Sequence, residues 1–268
     1  MRLTTRNRSL PGILLFLFIA GSWLEPVQPS SNQASPSILQ DRAREIMDRV
    51  DRMLRGESST GTVQMKVATR RWNRSMTLRI WSEGTDKALI RILAPRKNRG
   101  TATLRVGSNM WNYLSKIERV IRVPTSMMMG AWMGSHLTND DLVKESRLVR
   151  DYDIGISFEG EKEGVPVWEF ELVPKPEAPV VWGRIVYRVR QADLLPVWAR
   201  YYGEDEALKR TMSFSDYAVM GGRRIPTRMS IVPENKPGES TEMIYKDLSF
   251  DVPIAEKTFS LSNLRARR

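Results

Sequence analysis

The sequence predicts a mainly β fold with some α: one large curved antiparallel sheet, with an N-terminal amphipathic helix in front and one broken segment in the middle. Three observations carry this. An amphipathic stretch stands in front of the rest of the chain. From Gly61 onward the apolar period changes from helical to two. That pattern then breaks once, at the aperiodic apolar run Met127-Met128-Met129-Gly130-Ala131-Trp132-Met133-Gly134.

In the front stretch, Leu39, Ala43, Ile46, Met47, Val50, Met53 and Leu54 recur at helical spacing, opposite Arg42, Arg44, Glu45, Asp48, Arg49 and Arg52. Ser37 opens this helix with Gln40 at capping-box spacing and Pro36 just outside, and Gly56 is placed to end it. The apolar stripe must lie on another element.

Val63, Met65 and Val67 then alternate with polar neighbours, as do Met76, Leu78 and Ile80, with a turn at Trp72-Asn73. Strands are predicted at Lys87–Leu93, Thr101–Val106, Asn109–Leu114 and Arg119–Val123. After the Met-rich run, Thr138 and Asp141 have the spacing to cap a short helix through Leu142–Lys144. The meander resumes at Tyr152–Glu159, Pro166–Val173, Val181–Arg190, Pro196–Tyr202, Lys209–Ala218, Arg223–Val232 and Ser240–Ser249. Gly221-Gly222 reads as a hairpin turn. No linker or repeat divides the chain, so residues 37–268 are expected to form one domain.

Residues 1–22 are expected to be a secretory signal peptide: Arg2, Arg6 and Arg8 precede the apolar run Ile13–Ile19, with Ala20 and Ser22 suited to cleavage. Residues 23–36 read as a disordered lead-in rich in Pro, Ser, Asn and Gln. The expected location is therefore the periplasm. Cysteine is absent, so lipid anchoring, disulfides and thiolate zinc sites are not expected. The formal charge is +11, or +8 without the three leader arginines. Behind a leader, that excess fits an anionic membrane surface or an acidic partner better than nucleic acid. Its dispersal over Arg70-Arg71, Arg96-Lys97, Lys209-Arg210 and Arg223-Arg224 also fits a generally solvated surface.

Chemistry is sparse. His136 is the only histidine, and Ser135 beside it points to the opposite face of an extended chain, so a Ser-His-Asp triad is not expected. His136 reads instead as a surface loop histidine. Asp140-Asp141 reads as a polar helix start rather than a catalytic carboxylate pair. No glycine-rich phosphate loop or metal-ligand spacing occurs, so neither enzyme activity nor a cofactor is expected. Apolar material remains: eight tryptophans and fourteen methionines, with five of the latter between Met110 and Met133. Methionine suits surfaces that accept loosely defined apolar partners.

Several phrases, in this order and spacing, carry a resemblance. They are the helix end Leu54-Arg55-Gly56, Asp86-Lys87-Ala88-Leu89-Ile90, Pro95 to Gly100, and Asn109-Met110-Trp111-Asn112-Tyr113-Leu114. Arg119-Val120, Met133 to Leu142, Asp151-Tyr152 and Lys257 to Leu261 continue it. The chain resembles the LolA/LolB-like family of outer-membrane lipoprotein-sorting proteins, and more closely its larger LolA-like branch. The resemblance implies a half-open barrel whose apolar concave face, closed by helices, shields acyl chains of lipoproteins or another phospholipid-like lipid. It also implies an inner-membrane permease or transporter and an outer-membrane acceptor as partners. The Met-rich run is not a family hallmark, so the identity of the cargo does not carry over.

On this reading the front helix and Met127, Met128, Met129, Trp132 and Met133 cover the sheet. Trp111 and Tyr113 form an aromatic wall, and Val63, Met65, Met76, Leu78, Ile80 and Leu104 line the concave face. The main expectation is a periplasmic lipid or lipoprotein carrier. The alternative is a sensor or interaction module that reports mislocalised lipid to a membrane protein, and the third reading, a secreted hydrolase, is opposed by the lone histidine.

Overall fold

The structure is a computed structural model that describes residues 36–144, 148–178 and 180–266. The expected leader and all but the last residue of the lead-in lie outside the described residues.

Helix α1 (Pro36–Arg55) forms where the apolar stripe predicts it, beginning at Pro36 rather than after it. Proline suits the first helical turn, because the N–H it lacks would have no intrahelical acceptor there. Ala43, Ile46, Met47 and Val50 are buried against the sheet. Gly56 adopts φ +68°, and its N–H donates to the Arg52 carbonyl at 2.9 Å, so the helix ends in the left-handed conformation that glycine tolerates best. Arg223 donates to the Arg52 and Met53 carbonyls at 3.1 and 3.2 Å, placing a cation at the negative end of the helix.

The sheet has thirteen strands: β1 (Ser58–Ala68), β2 (Asn73–Glu83), β3 (Lys87–Ala94), β4 (Ala102–Val106), β5 (Asn109–Leu114), β6 (Arg119–Arg122), β7 (Tyr152–Lys162), β8 (Val165–Pro174), β9 (Arg184–Arg190), β10 (Pro196–Tyr202), β11 (Leu208–Met220), β12 (Arg223–Pro233) and β13 (Ser240–Phe250). Their order is β6-β5-β4-β3-β2-β1-β13-β12-β11-β10-β9-β8-β7, with every neighbouring pair antiparallel and the two edges unclosed. The chain meanders outward from β1 to β6, crosses to the far edge, and meanders back until β13 pairs with β1. Gly61 sits at this central seam, beside a register shift at Thr62/Val63. A Cβ at Gly61 would lie 2.4 Å from the Asp247 carbonyl oxygen, so only glycine fits.

Many element ends lie one to three residues from expectation, and two of these differences fall at turns. Asn73 is the first residue of β2 rather than part of the turn, which closes through the Thr69 hydroxyl accepting from the Trp72 N–H. The strand expected from Val181 starts at Arg184.

Among the described residues three short α-helices follow: α2 (Asn139–Lys144), α3 (Leu148–Asp151) and α4 (Leu261–Arg265). Thr138 and Asp141 make the expected reciprocal cap, with Thr138 N–H to Asp141 Oδ2 at 2.7 Å and Asp141 N–H to Thr138 Oγ1 at 3.1 Å. Helix α4 has no counterpart in the sequence reading. Ser260 caps it, accepting from Asn263 N–H at 3.2 Å. On the sheet, Arg91 donates to the carbonyls of Asn263 and Ala266 at 2.6 and 2.7 Å.

Helix α4 decides what the two faces of β3–β5 do. Leu264 and Phe259 pack on the outer face against Leu89, Leu104 and Tyr113, with Trp81 and Trp111 at the margin of that cluster. Leu104, Trp111 and Tyr113 therefore lie on the face opposite the helix α1 side. The register fixes this: Leu104 pairs with Leu89 and with Trp111, while the inward row pairs Ile90 with Thr103 and Thr103 with Asn112. The expected aromatic wall of the concave face is an outer-face cluster instead.

Candidate functional site

On the inner face, successive cross-strand rows grade from apolar to polar. Met65 pairs with Met76, then Val63 with Leu78 and Leu78 with Ile92. These five side chains are buried beneath α1 and the lid segment as ordinary core. The next row is Gly61, Ile80, Ile90 and Thr103, and the one after it Ser59, Ser82, Ala88 and Arg105. Where the large core side chains stop, a cavity of about 490 Å³ opens between α1 and the sheet. This lies within the ~300–1,000 Å³ of typical ligand pockets.

Ile80, Ala88 and Ile90 line one wall, Tyr187, Tyr201 and Phe214 another, and Met229 and Tyr245 the floor between. In strand order β2 and β9 are six steps apart. On a flat sheet that would be ~29 Å at ~4.8 Å per strand, so a shared cavity requires the sheet to curl around it. Met47, Val50 and Leu54 of α1 form the roof, with Leu142 of α2 and Leu148 and Val149 of α3 at the side.

Of the residues expected to contact lipid, Ile80 lines this cavity, whereas Val63, Met65, Met76 and Leu78 form the packed floor beside it. Tyr187, Tyr201, Phe214, Met229 and Tyr245 were not anticipated. They continue the period-two pattern of β9–β13 on the same face as Ile80, a signal present in the sequence but not assigned a side.

The Met-rich run folds over the inner face in two short 3-10 turns, Thr125–Met127 and Trp132–Gly134. Trp132 is 1 % exposed and donates from Nε1 to Thr103 Oγ1 at 3.0 Å. Met128 packs on Met110 and Met133 on the main core, whereas Met127 and Met129 point to solvent, 59 % and 52 % exposed. A one-sided pattern of this kind, without a regular period, explains why the run gave no helical or strand signal.

Polar clasps hold this lid. Arg210 of β11 makes a bidentate pair with Asp141 at 2.6 and 2.7 Å and also donates to the His136 carbonyl at 3.2 Å. Both side chains of the pair are about 5 % exposed, and the guanidinium lies 4.2 and 4.5 Å from the ring centroids of Tyr201 and Trp182. The expectation of a surface histidine is corrected: the His136 side chain is 8 % exposed. Its Nδ1 is 2.9 Å from Thr241 Oγ1 and its Nε2 is 3.1 Å from Glu239, whose carboxyl is held below its ordinary value, first by this hydrogen bond and then by the Arg70 N–H. His136 is thus a structural tie between lid and β13.

The cavity margin carries Asp51, which pairs with Arg55 at 3.2 Å. Burial still dominates and pushes the Asp51 carboxyl above its ordinary value. Burial likewise raises the Tyr152 phenol, reinforced by Tyr201 and the neighbouring aspartates. Among the described residues, no group of three His, Asp or Glu side chains is placed to hold a metal ion, and no helix is long and apolar enough to cross a membrane.

Comparisons with known proteins agree with this geometry. A family model described as "-like: Uncharacterized protein" matches residues 84–266. No curated protein matches the chain by sequence. Among solved structures, a DUF1329 family protein from Desulfovibrio piger is 23 % identical, covering 84 % of this chain and 99 % of its own, with a TM-score of 0.77. A Vibrio parahaemolyticus domain named for outer membrane lipoprotein sorting is also 23 % identical, covering 85 % and 100 %, with a TM-score of 0.73. A LolA superfamily protein from Nitrosomonas europaea is 19 % identical, covering 82 % and 98 %, with a TM-score of 0.70.

Proposed function

The chain belongs to the family described as "-like: Uncharacterized protein" and has the fold of the LolA superfamily; from that premise we propose that it is a non-enzymatic periplasmic carrier of lipid. It binds an acyl chain of a lipoprotein or another lipid in the cavity beneath α1 and moves it toward the outer membrane. A membrane permease would supply the cargo. One observation carries the reading: an apolar-walled cavity of about 490 Å³ lies between the curled sheet and its covering helix. At ~30 Å³ for a group the size of a water molecule, that space takes about sixteen methylenes, one acyl chain.

The energetics suit transfer. At ~0.8 kcal/mol per buried methylene, a sixteen-carbon chain represents roughly 12 kcal/mol. A carrier must match most of that to extract the chain and must still release it. Ile80, Met229 and Tyr245, each only partly buried, would contact the chain.

Native mass spectrometry of protein purified from its host's periplasm, followed by lipid extraction, tests this. A bound acyl species near one-to-one occupancy is expected. Protein that is empty, and stays empty after incubation with host membranes, overturns the carrier reading and favours a protein-binding module.

A further inference from the structure

We propose that the end of the sheet formed by the β1–β2, β3–β4 and β5–β6 connections docks on an anionic membrane surface. None of the residues at these three tips lines the cavity, so the docking end stands whatever the cavity holds.

In a meander, alternate connections lie at the same end, which makes these three tips neighbours. Each is two strands from the next, ~10 Å at ~4.8 Å per strand, close to one Debye length at ~0.1 M salt. They carry Arg70 and Arg71, then Arg96, Lys97 and Arg99, then Lys116, against one carboxylate, Glu118. The connections at the other end of the same strands, residues 84–86 and 107–108, carry no basic residue. Charge on this half of the sheet is therefore sorted by end. The pairs Arg70-Arg71 and Arg96-Lys97, dispersed in sequence, are gathered by the pairing of β1 with β2 and β2 with β3. The field is also one-sided, because the β8–β9, β10–β11 and β12–β13 connections at this end carry six carboxylates and two lysines. There, Asp205 and Glu206 are already paired with Lys209 and Arg184 at 2.5 and 3.0 Å. The six basic side chains are all exposed, and among the described residues none of them forms an ion pair. Arg99 donates to the Leu93 carbonyl at 3.0 Å, a neutral acceptor.

Apolar side chains stand among these charges. Trp72 and Ile117, at two of the three tips, are 39 % and 57 % exposed. Arg74 stacks on Trp72, its guanidinium carbon 4.7 Å from the ring centroid. Tryptophan and arginine suit the bilayer interface, where the ring meets acyl chains and the cation meets phosphates. A bilayer accepts apolar tips at any spacing, whereas a protein partner must supply a packed pocket for each. This end also abuts the lid: a Cβ at Gly134 would lie 3.7 Å from the Trp72 ring, and Arg74 donates to the Met133 carbonyl at 3.3 Å.

The experiment floats protein purified from its host's periplasm with vesicles of phosphatidylcholine, alone or mixed with phosphatidylglycerol. Each basic residue near an anionic surface strengthens binding about five-fold, so three within reach predict ~100-fold tighter binding to the mixed vesicles, falling as salt rises. Arg70→Glu/Arg71→Glu and Arg96→Glu/Lys97→Glu should each lower that binding about 20-fold or more. Lys162→Glu/Arg224→Glu makes the same change of net charge at the opposite end, at two exposed positions, and should leave most of the binding. Trp72→Ser should weaken binding at high salt as well as low, since an apolar contact is not screened. Equal binding to the two kinds of vesicle, or none, overturns the proposal without recourse to any variant. A loss in Lys162→Glu/Arg224→Glu as large as in the tip variants overturns it too, because net charge then suffices. Binding to polyglutamate with none to mixed vesicles overturns it and assigns this end to an acidic protein. None of these outcomes reads the acyl content of the cavity, so the carrier reading stands or falls separately.

Discussion

Asp141→Asn breaks the buried ion pair with Arg210. Asparagine keeps one side-chain oxygen to accept from Thr138 N–H, so the α2 cap survives, while the charge and the second acceptor, which receives Arg210 Nη2, are lost. Arg210 then remains beneath Trp182 and Tyr201 with its guanidinium about 5 % exposed. Removing one partner of such a pair costs about 3–5 kcal/mol, because the other charge stays desolvated. Single domains have only ~5–15 kcal/mol of stability to lose. With a urea slope of ~2–3 kcal/mol per molar for a chain of this size, the midpoint should fall by about 1–2.5 M.

The double variant Asp141→Leu/Arg210→Met provides the control. It removes both charges together and should lie within ~2 kcal/mol of the parent, part of that being the lost cap at ~1 kcal/mol. Urea unfolding followed by tryptophan fluorescence reads all three proteins. A loss below ~1 kcal/mol for Asp141→Asn, or a double variant less stable than the single one, would refute the reasoning that desolvated charge governs this clasp.

Gly61→Ala should destabilise by about 1–3 kcal/mol, since the added Cβ would meet the Asp247 carbonyl at 2.4 Å and the Leu248 side chain at 2.9 Å; thermal unfolding checks it. Ala88→Phe places a ring in the cavity without adding charge, so it should lower acyl-chain binding about 10-fold or more while the melting temperature holds or rises. Because the Glu239 carboxyl is held below its ordinary value in the folded protein, its link to His136 stabilises the lid above pH ~4.5 and is lost as pH falls through the lowered value. Trp132 fluorescence should therefore show an acid transition that Glu239→Gln removes, and an unchanged transition in that variant would assign it elsewhere. Hydrogen exchange along α1 should be fastest in its first half and slowest near Arg52.

The hairpins, α1 and the Thr138/Asp141 cap were legible because each buries one face or satisfies one local set of donors, and the pattern of residues records that directly. The faces of β4 and β5 were not. In β4, Ala102, Thr103, Leu104 and Arg105 are all buried, so alternation of exposure disappears and apolarity ceases to mark the inside. Here the polar members Thr103 and Arg105 face the cavity, and Leu104 faces out, because α4 supplies a second core on the outer side. A five-residue helix more than 150 residues away leaves only Ser260 as a local sign of itself. The lone histidine was misread for a related reason. Its burial depends on Thr241 and Glu239, which are distant in sequence and brought near only by the pairing of β13 with β1.

The ties over the cavity are unequal, and the inequality gives the roof a direction of opening. At its C-terminal end α1 is held by Arg223, by Glu57 N–H to Asp251 at 2.9 Å and by the Ser58 hydroxyl to the Val252 carbonyl at 2.5 Å. Toward its N-terminal end the named polar tie is the Arg42–Glu159 pair to β7, whose side chains are 45 % and 41 % exposed. Exposed pairs contribute ~0–1 kcal/mol, and Ile38 and Leu39 at that end are themselves exposed. The lid is fixed by the buried Arg210–Asp141 pair, which is costly to break. On the proposed carrier function, opening would begin where α1 meets β7 and pivot near Gly56, uncovering the wall of Tyr187 and Phe214 before the row of Ser59 and Ser82, so that a chain would enter between α1 and β7.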